Sequence, residues 1–245
     1  MTKTMLKDKE KYTFHHLSIP TAEPKDNEVY APHLKANVVL GTANAYGISW
    51  ARYDADADVP ELIKTVAHPA FEVENLEEAL DGETVIVPPV DIEPGVRSAF
   101  VNMLDAPVRL MQIDHNVADE KWTNPVTQGG KKLIYHHTGM PGCDEWEGET
   151  KVPHLNLAFL PGKLNTYGVE WLRFGEGNKN PDVIKFTPHI AFEVEDIDQA
   201  IVGEKVIYHS GRDDSGIIVS FVEVDGASVE FLELNRDVCG EQFDR

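Results

Sequence analysis

The sequence contains little cysteine and no long apolar segment. Its two cysteines, Cys143 and Cys239, form no C-x-x-C pair, which argues against a disulfide framework and fits a reducing compartment. No apolar run approaches the roughly 18 residues that span a bilayer. Residues 1–14 are charged and carry no apolar stretch of the kind that a secretory signal needs. We therefore expect a cytoplasmic protein.

Positive charge is also scarce. The chain of 245 residues carries 42 Asp and Glu against 22 Lys and Arg, a formal net charge of −20. Nucleic acids and anionic lipid surfaces are bound by clustered Lys and Arg, so neither nucleic acid nor a membrane is an expected partner. A small-molecule substrate is the expected partner, and a homodimer stays an open alternative.

The chain contains one sequence unit twice. His16 and His137 lie 121 residues apart, and the same offset relates Trp50 to Trp171. Residues 11–114 align with the second copy without a gap, and roughly a third of the paired positions are identical. Solenoid repeats have periods of about 20–50 residues, so this unit is the size of a domain. The sequence predicts a tandem duplication.

We predict domains at residues 11–114 and 133–235, joined by a polar linker at residues 115–132. Each copy is expected to be mostly strand, because short β-branched and aromatic runs alternate with Gly, Pro, Asn and Asp. One short helix is predicted in DIDQAI, where Asp196 can cap and Gln199 follows three residues later. The expected fold class is therefore α+β.

Three stretches carry a family resemblance: HHTGM, PHIAFEVEDIDQAI and DGASVEFLEL. They resemble the vicinal-oxygen-chelate superfamily, which includes glyoxalase I, methylmalonyl-CoA epimerase, extradiol dioxygenases and bleomycin-resistance proteins. The resemblance covers nearly all of both copies. It implies two glyoxalase-like domains, each with paired βαβββ modules that form a cupped, incomplete β-barrel. The first module of each copy is short and is predicted to lack its helix.

The resemblance further implies a divalent metal site in the second copy. Its ligands would be His137, Glu170, His189 and Glu230. Nitrogen and oxygen ligands of this kind suit Zn, Ni, Fe, Mn or Co. Strand alternation agrees with this set, because His189 and Glu230 each project from the face opposite the large apolar residues of their strand. The neighbouring His136 is expected to be structural or to orient the metal-bound imidazole.

The first copy departs from this set. His16 and His68 remain, but Ser49 and Arg109 stand where the second copy has its two glutamates. A guanidinium at a ligand position would repel a cation. We predict that this metal site is degenerate, and that the first domain is either a structural partner or a pocket in which Arg109 holds an anion.

Three functions follow from the resemblance. The leading one is a metal-dependent lyase or isomerase of the glyoxalase/epimerase type. It would act on a small α-hydroxy- or α-keto-carbonyl compound that chelates the metal, with Glu230 or Glu170 as the base. The second is an extradiol-type ring-cleaving dioxygenase, with His137, His189 and Glu230 binding Fe(II). The third is a non-catalytic binding protein of the bleomycin-resistance type. Metal ligation by Glu170 would favour the first over the second.

Overall fold

The computed structural model describes residues 7–128, 132–142 and 144–240. The chain divides into two compact units, residues 1–130 and residues 131–245. Each unit contains one mixed sheet of eight strands. No helix in the described ranges is long and apolar enough to cross a membrane.

The sheet of the first unit is formed by β1 (Thr13–Pro20), β2 (Val29–Ala31), β3 (Ala36–Val39), β4 (Ile48–Tyr53), β5 (His68–Glu72), β6 (Val85–Glu93), β7 (Val96–Met103) and β8 (Ala106–Ile113). Its short helices are α1 (Glu61–Thr65), α2 (Leu76–Leu80) and α3 (Pro125–Gln128). Single 3-10 turns lie at Lys9–Lys11, Gly41–Ala43 and Glu120–Trp122.

The strand order in this sheet is β2-β3-β4-β1-β5-β8-β7-β6. Two modules of four strands meet where β1 pairs antiparallel with β5. In each module the first strand pairs parallel with the last, β1 with β4 and β5 with β8. The second module has α2 between its first two strands, whereas residues 21–28 of the first module contain no helix. The predicted fold of paired modules is confirmed, and so is the missing first helix.

The second unit repeats this order in β10-β11-β12-β9-β13-β16-β15-β14. Its strands are β9 (Ile134–Pro141), β10 (Thr150–Val152), β11 (Leu157–Leu160), β12 (Val169–Phe174), β13 (His189–Glu193), β14 (Lys205–His209), β15 (Ile217–Val224) and β16 (Ala227–Leu234). Its helices are α4 (Asp182–Phe186), α5 (Ile197–Ala200) and α6 (Arg236–Cys239), and its 3-10 turns lie at Pro153–Leu155 and Gly162–Leu164.

The offset of 121 residues holds in the structure as well as in the sequence. It relates β4 to β12 and β8 to β16, and it also relates the turns that lead into β4 and β12. The Oδ1 atom of Asn44 accepts hydrogen bonds from the backbone N–H groups two and four residues later, at 3.1 and 3.0 Å. Asn165 does the same at 3.2 and 3.0 Å. The tandem duplication is therefore confirmed.

The helix cap predicted at Asp196 is present, and the first copy has its counterpart at Asn75. The Asp196 side chain accepts a hydrogen bond from the backbone N–H of Gln199 at 3.1 Å, at the start of α5. Asn75 accepts one from the backbone N–H of Glu78 at 3.0 Å, at the start of α2. Each cap satisfies a backbone donor that the first turn of a helix leaves unpaired. Both helices bury their first apolar residue against the sheet.

The sequence missed some elements. PHLNLAFL reads as one strand, but its first residues form the 3-10 turn Pro153–Leu155, and only Leu157–Leu160 is strand. Strand β10 was not predicted, because its three polar-flanked residues are ordered by pairing with β11. Helices α1 and α4 were missed too. Five residues that bury a single isoleucine give little periodic signal.

Part of the segment predicted as a linker packs against the first unit. Trp122 lies in a buried cluster with Ala70, Val96 and Met111. The Asn124 side chain donates a hydrogen bond to the backbone carbonyl of Phe14 at 2.8 Å. Residues 115–128 therefore contribute to the interior of the first unit, close to the position that corresponds to the predicted metal site.

Candidate metal centre

Three of the predicted ligands lie on neighbouring strands of the second sheet. Ala191 of β13 is paired on one side with His137 of β9 and on the other side with Glu230 of β16. His189 lies two residues before Ala191, and side chains two residues apart in a strand point to the same face. The strand register therefore directs the two imidazoles and the carboxylate to the same region.

The polar atoms of these three side chains meet. His189 Nε2 lies 3.1 Å from Glu230 Oε2, and His137 Nε2 lies 3.3 Å from the same oxygen. The two Nε2 atoms are 3.4 Å apart. All three residues are buried, and each offers a ligand atom within 4.8 Å of the others. The arrangement is a compact group with two histidines and one glutamate.

Glu170 lies beside this group, but it is not one of the residues whose ligand atoms all lie within 4.8 Å of one another. It projects from β12, where it pairs with Gly139 of β9. Its Oε1 atom lies 3.7 Å from His137 Nε2. Its Oε2 atom accepts a hydrogen bond from the backbone N–H of Gly162 at 3.2 Å. The fourth predicted ligand therefore contacts the centre from one side and is held there by the backbone.

Burial and charge set the protonation of the centre. Burial lowers the pKa of His137, but Glu170 and Glu230 outweigh it and raise that pKa to about 9. Burial raises the pKa of Glu170, partly offset by His137. Burial also favours a higher pKa for Glu230, but hydrogen bonds from His137 and His189 lower that pKa well below the usual value. The two glutamates therefore stabilise a positive charge on His137.

The doubled histidine has a structural explanation. The pairing of β9 with β13 shifts register between Ala191 and Phe192, so His136 is an extra residue in a β-bulge. The bulge brings His136 Nδ1 to 2.8 Å from His137 Nδ1. His15 and His16 repeat this contact at 2.9 Å. The contact with His136 occupies Nδ1 of His137, so Nε2 of His137 faces Glu230. This is the orienting role expected of His136.

Gly139 allows His189 to take its place. A Cβ atom at Gly139 would lie 2.1 Å from Cε1 and 2.3 Å from Nε2 of His189, so no other residue fits without moving the imidazole. Sequence reasoning missed this role. The available signal was the register, because Gly139 follows His137 by two residues and therefore lies on the same face of β9.

The donor set fits a divalent metal. Two imidazoles and one or two carboxylates are ligands that Zn, Fe, Mn, Co and Ni accept. A buried carboxylate group normally requires a positive partner, and His137, whose pKa the two glutamates raise to about 9, supplies it as an imidazolium in the absence of metal. A metal ion bound by His137, His189 and Glu230 would replace that proton.

The corresponding residues of the first unit form no such group. Ser49 donates a hydrogen bond to the backbone carbonyl of Val39 at 2.8 Å. Arg109 donates from Nε to Ser98 Oγ at 2.9 Å. His68 contacts the backbone carbonyl of Val66 at 3.5 Å and stacks edge-on against Phe100. The two histidines are retained, but a buried guanidinium takes the place of the carboxylate.

The remaining sequence candidates are easily placed. Cys239 is a buried free thiol in α6, and Cys143 lies outside the described residues. His154 is exposed in its 3-10 turn, whereas its counterpart His33 lies 3.4 Å from Arg109 Nη2. The two copies therefore use this repeated histidine differently.

Comparisons with known proteins give distant structural likenesses. No protein-family model matches the chain, and no curated protein sequence matches it. The chain is similar to a mutant of 4-hydroxymandelate synthase from Streptomyces coelicolor, with 12% identity, a TM-score of 0.48, and coverage of 92% of this chain and 93% of that one.

Two further structures show the same kind of likeness. A fusion of a xylose isomerase-like TIM barrel with 4-hydroxyphenylpyruvate dioxygenase gives 13% identity and a TM-score of 0.42, covering 93% of this chain and 45% of that one. Methylmalonyl-CoA epimerase from Mycobacterium tuberculosis gives 16% identity and a TM-score of 0.21, covering 73% of this chain and 92% of that one. All three scores are below 0.5, so the fold assignment rests on the strand order.

The strand order defines the fold of both units. Each unit joins two four-stranded modules through their first strands, and in each module the first strand pairs parallel with the last. This is the fold that the sequence resemblance implied. The chain contains two tandem copies of this paired-module fold.

Proposed function

We propose that the second domain is a metal-dependent enzyme that moves a proton on a carbon next to a carbonyl group. Its substrate would be a small α-hydroxy- or α-keto-carbonyl compound with two adjacent oxygens. The observation that carries this proposal is the position of Glu170, which lies near enough to the centre to act as a base and not as the fourth ligand that the resemblance implied. Its side chain is 13% exposed, and its carboxyl group lies 3.7 Å from His137 Nε2 without belonging to the compact group of three.

The proposal gives each residue one role. His137, His189 and Glu230 hold the metal. The metal, when bound, supplies a Lewis acid that draws electron density from the substrate carbonyl. Glu170 takes the proton from the adjacent carbon and returns it to a neighbouring carbon or to the opposite face. The hydrogen bond from Gly162 holds Glu170 in place for both transfers.

The protonation of Glu170 supports this role. Burial raises the pKa of its carboxyl group above the ordinary value. A carboxylate whose pKa lies closer to neutrality both removes and returns a proton more readily than an exposed one. Glu230 has the opposite shift, which suits a carboxylate that stays ionised as a ligand. The two glutamates are therefore assigned different tasks.

Metal binding tests the first half of the proposal. Protein purified without metal is dialysed against Zn, Ni, Mn or Fe(II), and bound metal is measured by atomic absorption. We expect His189→Ala to abolish stoichiometric binding and His68→Ala, its counterpart in the first domain, to leave it intact. Unchanged binding by His189→Ala would show that the metal is held elsewhere.

Proton exchange tests the second half. Metal-loaded protein in D₂O is incubated with hydroxyacetone or pyruvate, and deuterium uptake at the carbon next to the carbonyl is followed by NMR. We expect Glu170→Gln to slow exchange by about 10²- to 10⁴-fold while metal binding persists. The control is Asp198→Asn, which removes an exposed carboxylate that pairs with Arg212 at 2.9 Å. Equal exchange rates for Glu170→Gln and the native protein would exclude Glu170 as the base.

A ring-cleaving dioxygenase is the second candidate, and one observation favours it. Two histidines and one carboxylate form the compact group, which matches the ligand set of a non-heme Fe(II) centre with open coordination positions. Oxygen uptake by Fe(II)-loaded protein with catechol distinguishes the two candidates. Uptake that survives Glu170→Gln supports the dioxygenase. Absence of uptake, together with proton exchange that requires Glu170, supports the proton-transfer enzyme.

A further inference from the structure

A buried guanidinium lies in the first domain at the position of the metal ligand Glu230. Arg109 is only 5% exposed. Within residues 7–128 no ion pair joins it to an aspartate or glutamate. The nearby Glu93 instead binds Lys121 at 2.7 Å and Trp122 Nε1 at 3.1 Å. Buried charges are usually paired, because removing a lone ion from water is costly.

The hydrogen bonds of Arg109 leave part of its donor fork unused. Nε donates to Ser98 Oγ at 2.9 Å, and Nη2 lies 3.4 Å from His33 Nε2. No hydrogen bond from Nη1 is found among the described part of this domain. A guanidinium has five N–H donors, and paired donors on one edge match the two oxygens of a carboxylate.

Tyr53 offers a second hydrogen-bond donor, and the charge of Arg109 acts on it. The hydroxyl of Tyr53 is buried and has no hydrogen-bond partner within residues 7–128. Tyr53 follows Ser49 by four residues on β4 and therefore shares its face of the sheet. Burial raises the pKa of Tyr53 to about 12 while the charge of Arg109 acts against this rise, so the two groups interact. At neutral pH this hydroxyl keeps its proton and can donate it in a hydrogen bond.

The charge of the surroundings indicates what could bind. Burial and the charge of Arg109 together lower the pKa of His33 to about 4 and that of His68 to about 3, so both are neutral at pH 7. Burial lowers the pKa of Arg109 only to about 10, so it stays charged. Lys121 and Glu93 balance each other in an ion pair, so Arg109 remains the cation that a single negative charge would balance. Phosphate carries more than one negative charge near neutral pH.

Aromatic side chains complete the surroundings. The Arg109 guanidinium carbon lies 5.6 Å from the ring centroids of both Phe100 and Trp122. We propose that the first domain binds a small monocarboxylate, with Arg109 and the Tyr53 hydroxyl as the donors to its oxygens. In this interpretation the duplication changed a cation site into an anion site.

Benzoate is the probe that tests the proposal, with acetate and inorganic phosphate as parallel titrants. Full-length protein is titrated while the Nε–H NMR signals of its arginines are observed, and affinities are measured by calorimetry. We expect saturable benzoate binding that shifts the Arg109 signal. Arg109→Gln should weaken binding by at least about 10-fold, and Tyr53→Phe should weaken it by a smaller factor. Arg97→Gln is the matched control, because Arg97 makes surface ion pairs with Glu77 and Asp91.

The outcomes separate this proposal from alternatives. Absence of saturable binding, or binding that Arg109→Gln leaves unchanged, overturns it. Binding of phosphate without binding of benzoate or acetate overturns the assigned ligand class. If Arg109→Gln does not fold, the NMR shift in the native protein and the Tyr53→Phe variant still decide the question. His189→Ala should bind benzoate normally, so the failure of the metal proposal would not affect this result.

Discussion

The two domains have the same strand order and nearly the same strand boundaries, yet one corresponding position of their centres carries opposite charge. At one position of the last strand, β16 has Glu230, which contacts two imidazoles. At the same position β8 has Arg109, which contacts Ser98 and His33. Both side chains are buried. The sheet determines where a side chain at this position points. The residue types at this position and at the Ser49/Glu170 position determine the charge of the centre.

The shared histidines make the same point. His137 has its pKa raised to about 9, because the attraction of two glutamates outweighs burial. Its counterpart His16 has a pKa well below the ordinary value, because burial, His15 and Arg109 all disfavour its charged form. The imidazole is the same and the backbone is the same. The neighbouring charge determines whether the histidine holds a proton.

The strongest test of this comparison converts the first centre into the second. The double substitution Ser49→Glu with Arg109→Glu restores both carboxylates beside His16 and His68. We expect the protein to gain a second metal equivalent, measured by atomic absorption after dialysis. The reason is that the replaced positions share strand and register with Glu170 and Glu230.

Arg109→Gln alone is the control for this conversion, because it removes the positive charge without adding a ligand, and it should gain no metal. A folded double variant with unchanged metal content would mean that charge and ligand type do not suffice. The surroundings of position 109, including Trp122, would then be the deciding difference between the domains.

A smaller effect on metal binding is expected from substitution of Gly139, whose counterpart in the first domain is Ser18. In Gly139→Ala the added Cβ would overlap the imidazole of His189 at 2.1 Å, so the ring must leave its present position beside Glu230. We expect metal affinity to fall by about 10- to 100-fold, the range seen when groups that orient metal ligands are changed. Ser18→Ala is the matched control and should leave affinity unchanged. Equal affinity for Gly139→Ala would show that His189 is not held by this contact.

Much of the fold could be predicted from the sequence because its signals are repeated. An ungapped offset of 121 residues, alternating apolar runs and two capped helices fixed the module organisation. Strand alternation also predicted that His189 and Glu230 project away from the apolar face of their strands, and in the structure their polar atoms lie 3.1 Å apart. These features depend on local spacing, which a single sequence contains.

Other features depend on distance in space, and the sequence could not supply them. Glu170 lies outside the compact group and accepts a hydrogen bond from the backbone of Gly162, eight residues earlier in the chain. The contact between His136 and His137 requires a bulge that only the pairing with β13 shows. The packing of Trp122 near Arg109 depends on how residues 115–128 fold back. None of these leaves a periodic pattern.

The smallest expected effect is a difference in acid–base behaviour between the domains in metal-free protein. His68 has a pKa of about 3 in the folded state against an ordinary value of 6.5. Between these values the unfolded chain binds more protons, so this residue reduces stability as the pH falls below 6.5. His137 has a folded pKa of about 9. It contributes stability that is fully present below pH 6.5 and is lost as the pH rises through 9.

NMR titration of the imidazole nitrogens in the full-length chain measures both values directly. We expect the His68 signals to show a neutral ring throughout the range in which the protein stays folded, and the His137 signals to change on the alkaline side of neutrality. His68→Gln and His137→Gln assign the signals. Titration of both histidines near 6.5 would mean that Arg109 and the glutamates do not act on them. The opposite charges of Arg109 and Glu230 would then have no consequence for the histidines.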